Sequence, residues 1–362
     1  MSVLAPILVL AILIFVHELG HFAAARFQGI RVNRFSLGFG PALVKYQGKE
    51  TEYAIRALPL GGYVGFPDED PDSQIPKDDP NLLSNRPIFD RAIVISAGVI
   101  ANLIFAYFLL VSQAATIGIP DIQYQPGVKV PQVMTEETSA AYKAGIKAGD
   151  IIIAVEGEKL EANERAIKSL MATIQNSPDR NIELTISRGE EIKTIEVIPT
   201  PDENGQGKIG VMLQPNNEVI RTRPENILQA FSIGANEFER ITKLTFEGFG
   251  QLLSNFQETA QQVAGPVAIV AVGAQIAQND IGNMFQFAAL ISINLAIINS
   301  LPIPALDGGQ LVFLAIEGLS GKPVPNKLQE GIMQTGLVLL LGLGMFLIVR
   351  DTANLEFFQQ LF

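Results

Sequence analysis

The 362-residue chain contains no cysteine. That excludes a disulfide framework and removes thiolate both as a nucleophile and as a metal ligand. Charge is scarce, at 17% of residues, where soluble domains carry about a quarter. What charge there is leans one way, with 26 Lys and Arg against 37 Asp and Glu, for a net of −11. A surface of that sign does not neutralise phosphates, so nucleic acid is excluded as a partner. Histidine is nearly absent too, with two residues in the whole chain. Any chemistry that needs imidazole must use those two.

What replaces charge is a set of long apolar runs. Ala92 to Ile119 and Gly331 to Val349 carry no charge, and Ile281 to Ile316 carries only Asp307. Each can cross a hydrocarbon core of roughly 30 Å at about 1.5 Å per residue. The first 25 residues are also apolar but have neither a basic start nor a small-residue cleavage pattern. They read as a retained spanning helix rather than a signal peptide. The spacing predicts about four membrane segments: 1–25, 92–119, 281–316 (interrupted) and 331–349. Arg26, Arg31, Arg34, Arg86, Arg91, Lys322 and Lys327 flank their ends. The positive-inside rule puts those loops in the cytosol.

The stretches between are of three kinds. Arg31 to Asp90 holds short alternating runs (TEYAIRAL, LGGYVGF) and an acidic Pro/Asp loop, suggesting a hairpin or small sheet. Strand-like runs from VKVPQV to KIGVML surround a helical stretch at Ala162–Gln175, an α+β module. Asn226 to Val263 is helical and amphipathic, anchored by Phe231, Phe238, Leu244, Phe249, Leu252 and Phe256. It reads as a packed connector helix pair, with an interfacial helix as the alternative. The expected division is 1–120 for segments one and two with the β-region, 121–215 for the module, 216–280 for the connector and 281–362 for segments three and four.

The two histidines, His17 and His21, stand at i and i+4 within HELGH. On a helix they lie about 40° apart around the axis, so both rings face one side. Glu18 sits at the offset that lets a carboxylate take a proton from a water without ligating the ion. Ionisable groups inside a spanning helix are costly and mark function by default; the bland alternative is polar pairing that merely holds helices together. A catalytic zinc takes three protein ligands and keeps one position open. With histidine and cysteine exhausted, the third ligand must be a carboxylate, and Asp307 is the one acid in its run. Pro302 and Pro304 break the helix there, and Gly308 and Gly309 allow close backbone approach. Such backbone at membrane depth is tolerated where it lines a cavity or is buried in protein. The alternative is a proline kink with a snorkelling aspartate.

On these motifs the chain resembles the site-2 protease family, in its regulator-of-sigma-E branch. HELGH and PIPALDGG carry the resemblance, with PLGGYVGF, AGVIAN at Ala97–Asn102 and NLAIINSLPIP at Asn294–Pro304 in family order between them. The family implies a zinc ion held by His17, His21 and Asp307, with Glu18 as base. It implies a substrate cleft lined by Asn294 and Asn299, and a membrane-associated β-region in which Tyr63 lies near the site. AGIKAGDIIIAVEGEKL at Ala144–Leu160 resembles a PDZ domain of bacterial protease type. The expected whole is a polytopic α-helical membrane protein with a membrane-associated β-region and one inserted α+β PDZ-like domain. Its partners would be transmembrane protein substrates, the lipid bilayer, and a peptide or C-terminus on the PDZ-like domain. Its place would be a cell (inner) membrane, multi-pass, or a plastid membrane. A catalytically silent PDZ adaptor with a structural metal site is the rival, but it predicts loss of Glu18 or of the third ligand, and both are intact. A metal transporter would want more acids or histidines along a path.

Overall fold

A computed structural model describes residues 3–70, 73–134, 139–163, 165–202, 205–255 and 263–354. The chain divides into two units, one made of residues 1–118 and 223–362, the other of 119–222.

The first unit is built on helices. Among the described residues four are long and apolar enough to span a membrane: α1 (Leu4–Phe27), α2 (Ile88–Thr116), α7 (Asn283–Ser300) and α9 (Asn326–Ala353). α2 is the central one and packs on α1 and α7. Its buried residues Val94, Gly98, Asn102, Ala106 and Leu110 recur every four residues, a single stripe at helical spacing. Gly20 of α1 lets the two backbones close up, because a Cβ there would lie 2.7 Å from Ala101 Cβ. With no hydrophobic drive between helices in lipid, small residues at contacts are what permit tight packing.

The connector holds α5 (Ile227–Ser254) and α6 (Pro266–Asn279). α5 lies on α2, and part of the expected aromatic face makes that contact: Phe238 packs partly buried against the cluster of Ala106, Leu110 and Ile293, and its ring meets Tyr107 of α2 edge-on. Phe231 and Leu244 are half exposed, and Phe256 lies outside the described residues. The buried stripe is Ala230, Gly234, Glu237, Ile241 and Thr245. The reason at residue 234 is steric, since a Cβ there would come 2.6 Å from a Val111 methyl; the Phe231 and Phe238 rings lie to the side of this close approach and meet Tyr107 of α2. Asp351, near the end of α9, accepts a hydrogen bond from the Ala268 N–H in the open first turn of α6.

Between α1 and α2 lie two long bent strands, β1 (Arg34–Gln47) and β2 (Glu52–Gly65). Residues 42–47 pair with 52–56, and 34–37 pair both with 52–55 and with 62–65. The working order is therefore 42–47, 52–56, 34–37, 62–65, and among the described residues no strand covers the outer side of 62–65. Phe35 anchors this sheet to α1 through edge contacts with Phe15 and Phe22.

The second unit is an α+β module. The expected bounds of 121–215 fall short because β3 (Ile119–Val133) and β10 (Val211–Thr222) form an antiparallel ladder out to Ile119 and Thr222. The sheet runs β10-β3-β4-β6-β7, with β4 at Ile151–Val155, β6 at Ile182–Arg188 and β7 at Glu191–Val197. Helix α4 (Arg165–Gln175) lays Ala166, Leu170 and Ile174 into a core with Ile152, Leu184 and Ile186. It starts after the expected Ala162 because Asn163 Oδ1 accepts from the Arg165 and Ala166 N–H groups and caps it. Gly149, at φ 94°, takes the left-handed turn ahead of Asp150. Asp150 is buried and accepts from Lys147 N–H and from two Arg188 nitrogens.

Candidate metal centre

His17 and His21 project from one side of α1 with their Nε2 atoms 3.2 Å apart. Asp307 reaches them from the far end of the sequence because α7 stops short. Leu301, just before Pro302, is extended (φ −67°, ψ 146°), as steric conflict with a following proline ring demands. Tight turns then lead to Ala305, a non-glycine residue in the left-handed region at φ 72°. That conformation costs about 1–2 kcal/mol, and it sits two residues before the first residue of α8 (Asp307–Ser320). Gly308 pays for nothing further, since it lies so close to the end of α7 that a Cβ would be 2.5 Å from the Ser300 carbonyl oxygen. Gly336 of α9 closes on the same loop, where a Cβ would be 2.6 Å from Pro304 O. Far below it in sequence, Arg91 of α2 pairs with both carboxylate oxygens of Glu317 at the end of α8, at 2.9 and 3.0 Å.

The result is a triangle. Asp307 Oδ2 is 3.3 Å from His17 Nε2 and 3.4 Å from His21 Nε2. Among the described residues these three are the set of side chains whose donor atoms converge in this way. Asp307 Oδ2 is buried and has no hydrogen bond of good geometry. Ligands about 2.0–2.1 Å from a tetrahedral zinc stand about 3.3 Å from one another. The nitrogen–nitrogen–oxygen set therefore fits zinc in donor type and in spacing. α2 leaves room for it: a Cβ on Gly98 would meet His21 Cε1 at 2.7 Å and His17 Cε1 at 2.8 Å, and His21 Nε2 closer still.

Glu18 is buried beside this group and outside the triangle. Its side chain passes over residue 62, where a Cβ would lie 2.7 Å from Glu18 Cγ. The acid thus follows His17 directly on α1 and lies against the uncovered strand 62–65. Asn299 is buried near the C-terminal end of α7, and Asn294 is half-buried on the same helix. Tyr63 belongs to the sheet rather than the triangle: its hydroxyl accepts from Arg56 Nη2 at 2.9 Å and its ring stacks near Phe39. Two contributors had no role in the sequence reading. Gly98 and Asn102 sit in AGVIAN, and Asn102 lies 3.4 Å from His17 Nδ1. Their spacing of four residues was the available signal.

Comparison with known proteins agrees over the whole length. The profile of peptidase family M50 matches residues 5–343. A Nostoc sp. protein described as a candidate zinc metalloprotease is 62% identical over all of this chain and all of its own. The chloroplastic membrane metalloprotease ARASP of Arabidopsis thaliana is 48% identical, over 99% of this chain and 80% of that protein. Regulator of sigma-W protease RasP of Bacillus subtilis is 28% identical, over 98% and 99% respectively. Among solved structures, the PDZ domain of an SdrC-like protein from Listeria monocytogenes aligns with 24% of this chain and 86% of its own at 20% identity and a TM-score of 0.21. Taken with the four spanning helices, the full-length family match means that this chain belongs to peptidase family M50, the site-2 proteases, and is a multi-pass membrane zinc metalloprotease.

Proposed function

We propose that the chain hydrolyses peptide bonds within transmembrane segments of other membrane proteins, with zinc held by His17, His21 and Asp307. The observation that carries this reading is Glu18, a buried acid outside a zinc-fitting triangle, next to His17 on α1 and packed on a strand with an uncovered edge. When bound, the ion supplies Lewis acidity to the scissile carbonyl and acidifies water. Glu18 accepts the proton of the attacking water at its carboxylate, and burial between α1 and the sheet holds that carboxylate in place. A helical substrate hides its backbone in its own hydrogen bonds, so it must unwind to react. The outer side of 62–65 offers unpaired backbone groups to such a stretched segment, by strand addition. Arg56 fixes Tyr63 in that strand and keeps its register.

Asn299 is the side chain best suited to hold the unwound substrate. Its amide makes no hydrogen bond among the described residues, which speaks against a mere helix cap and leaves both donor and acceptor for a peptide. Asn294 lies further back on the same helix and lines the cleft in this reading. The PDZ-like unit binds a peptide or C-terminus and filters partners. Anti-sigma factors and signal-peptide remnants are the substrate class, a reading that the name of the Bacillus relative supports. The host membrane is a bacterial cell membrane or a plastid membrane. Quantitative membrane proteomics of wild type against Glu18→Gln tests this. Single-span proteins or remnants should accumulate in the variant, and a change confined to soluble proteins would refute it.

A further inference from the structure

Each imidazole of the triangle has a second nitrogen, and α2 meets both. His21 Nδ1 lies 2.8 Å from the Val94 carbonyl oxygen. A carbonyl only accepts, so that Nδ1 carries the proton and Nε2 keeps the lone pair a metal needs. Among the described residues no carbonyl takes the equivalent place for His17. Its Nδ1 faces the side-chain amide of Asn102 at 3.4 Å.

Asn102 is fully buried, and its Oδ1 has no partner in the orientation the structure shows. With Nδ2 toward the ring, the amide pairs only with an unprotonated Nδ1. That places the ring proton on Nε2, pointing at Asp307, and blocks ligation. Turning the amide by half a revolution brings Oδ1 to the ring. The oxygen then accepts from Nδ1–H, and Nε2 is free to ligate. The two ends of an amide have the same shape, so the ring's chemistry chooses between them. The residue's backbone is pinned independently, since Ser292 Oγ of α7 donates to the Asn102 carbonyl at 2.8 Å.

We propose that Asn102 is the positioning residue of the zinc site: its side-chain oxygen fixes the tautomer and orientation of His17, as the Val94 carbonyl does for His21. α2 then delivers three functions at a spacing of four residues. Val94 orients one ligand, Gly98 leaves the space, and Asn102 orients the other ligand. The inference rests on His17 being a zinc ligand. Groups that hold a ligating imidazole in this way are worth about 10–100-fold in metal affinity.

The test measures zinc affinity by chelator competition in full-length, detergent-purified protein carrying Glu18→Gln, with zinc ion as the only ligand and thermal unfolding of each metal-free protein as a fold check. Asn102→Ala, which fits the space by being smaller, should weaken zinc about 10–100-fold while metal-free stability changes little. Asn102→Asp presents only acceptor oxygens to Nδ1–H and should restore affinity to the wild-type level or above. If the alanine variant binds zinc as wild type does, or the aspartate variant loses as much as the alanine, Asn102 does not orient His17. His17→Ala separates the two levels. Full zinc binding there would overturn the ligand assignment itself, whereas zinc loss in His17→Ala with an unaffected Asn102→Ala overturns only the role given to Asn102.

Discussion

Gly98→Ala adds one methyl group to the protein and should weaken its hold on the metal. The new Cβ would stand 2.7 Å from His21 Cε1, about 0.7 Å short of an ordinary 3.4 Å contact, with His17 Cε1 almost as near. Movement of α2 away from α1 is opposed by its packing on α7, where Ser292 Oγ donates to the Asn102 carbonyl at 2.8 Å. The rings must therefore move, and zinc ligands tolerate only about ±0.2 Å. Overpacking of this kind costs about 1–3 kcal/mol. If releasing the metal relieves all of that strain, zinc affinity falls about 5- to 150-fold, at about 1.4 kcal/mol per factor of ten. Chelator competition reads the affinity, and circular dichroism of the metal-free protein shows whether the helices survive. A folded Gly98→Ala protein with wild-type zinc affinity would refute the packing argument.

Three other substitutions address separate parts of the molecule. Asp307→Ala should lower zinc below one per chain in elemental analysis, and full zinc with full activity would put the third ligand elsewhere. Asn299→Leu should leave zinc content and thermal stability near wild type while cleavage of a membrane substrate falls at least about fivefold, as loss of a hydrogen bond worth at least about 1 kcal/mol implies; a destabilised but fully active variant would make Asn299 structural. In the PDZ-like unit, burial pushes the Asp150 carboxyl up, but Arg188 and the Lys147 N–H together hold it below the ordinary carboxylate range. A lowered carboxylate contributes its stability above the ordinary value of 3.8 and loses it as pH falls through the depressed one. Asp150→Asn should cost the unit about 1.5–3 kcal/mol at neutral pH and progressively less in acid. A pH-independent difference in urea unfolding would contradict this.

The metal triangle was legible in the sequence because scarcity made it so. Two histidines at i and i+4 define a face, and one acid in an otherwise uncharged run leaves little choice for the third ligand. The break before Asp307 was legible for the same kind of reason, since Pro302 forces Leu301 out of the helix. What composition could not supply was the order of strands. LGGYVGF reads as extended chain, but its place at the rim of the sheet beside Glu18 follows from long-range pairing with 34–37. The connector was legible in part, for a packing reason. Phe238 does reach the helix contact through Tyr107, but the buried stripe centres on Gly234, where the close approach of α5 to α2 admits only a small residue. Asn102 was visible as part of a motif, but its partner, His17, lies 85 residues away.

The central claim is that Glu18 is the base of an intramembrane zinc protease and does not ligate the ion. The most direct measurement mass-maps the products of a membrane-inserted substrate incubated with purified wild type and with Glu18→Gln, with zinc content determined on the same preparations. The account predicts a wild-type cut inside the substrate's apolar span. It predicts a loss of about 10² or more in rate for Glu18→Gln, with one zinc per chain in both proteins. Cleavage by Glu18→Gln at the wild-type rate, loss of its zinc, or a wild-type cut only in the substrate's soluble region would contradict it.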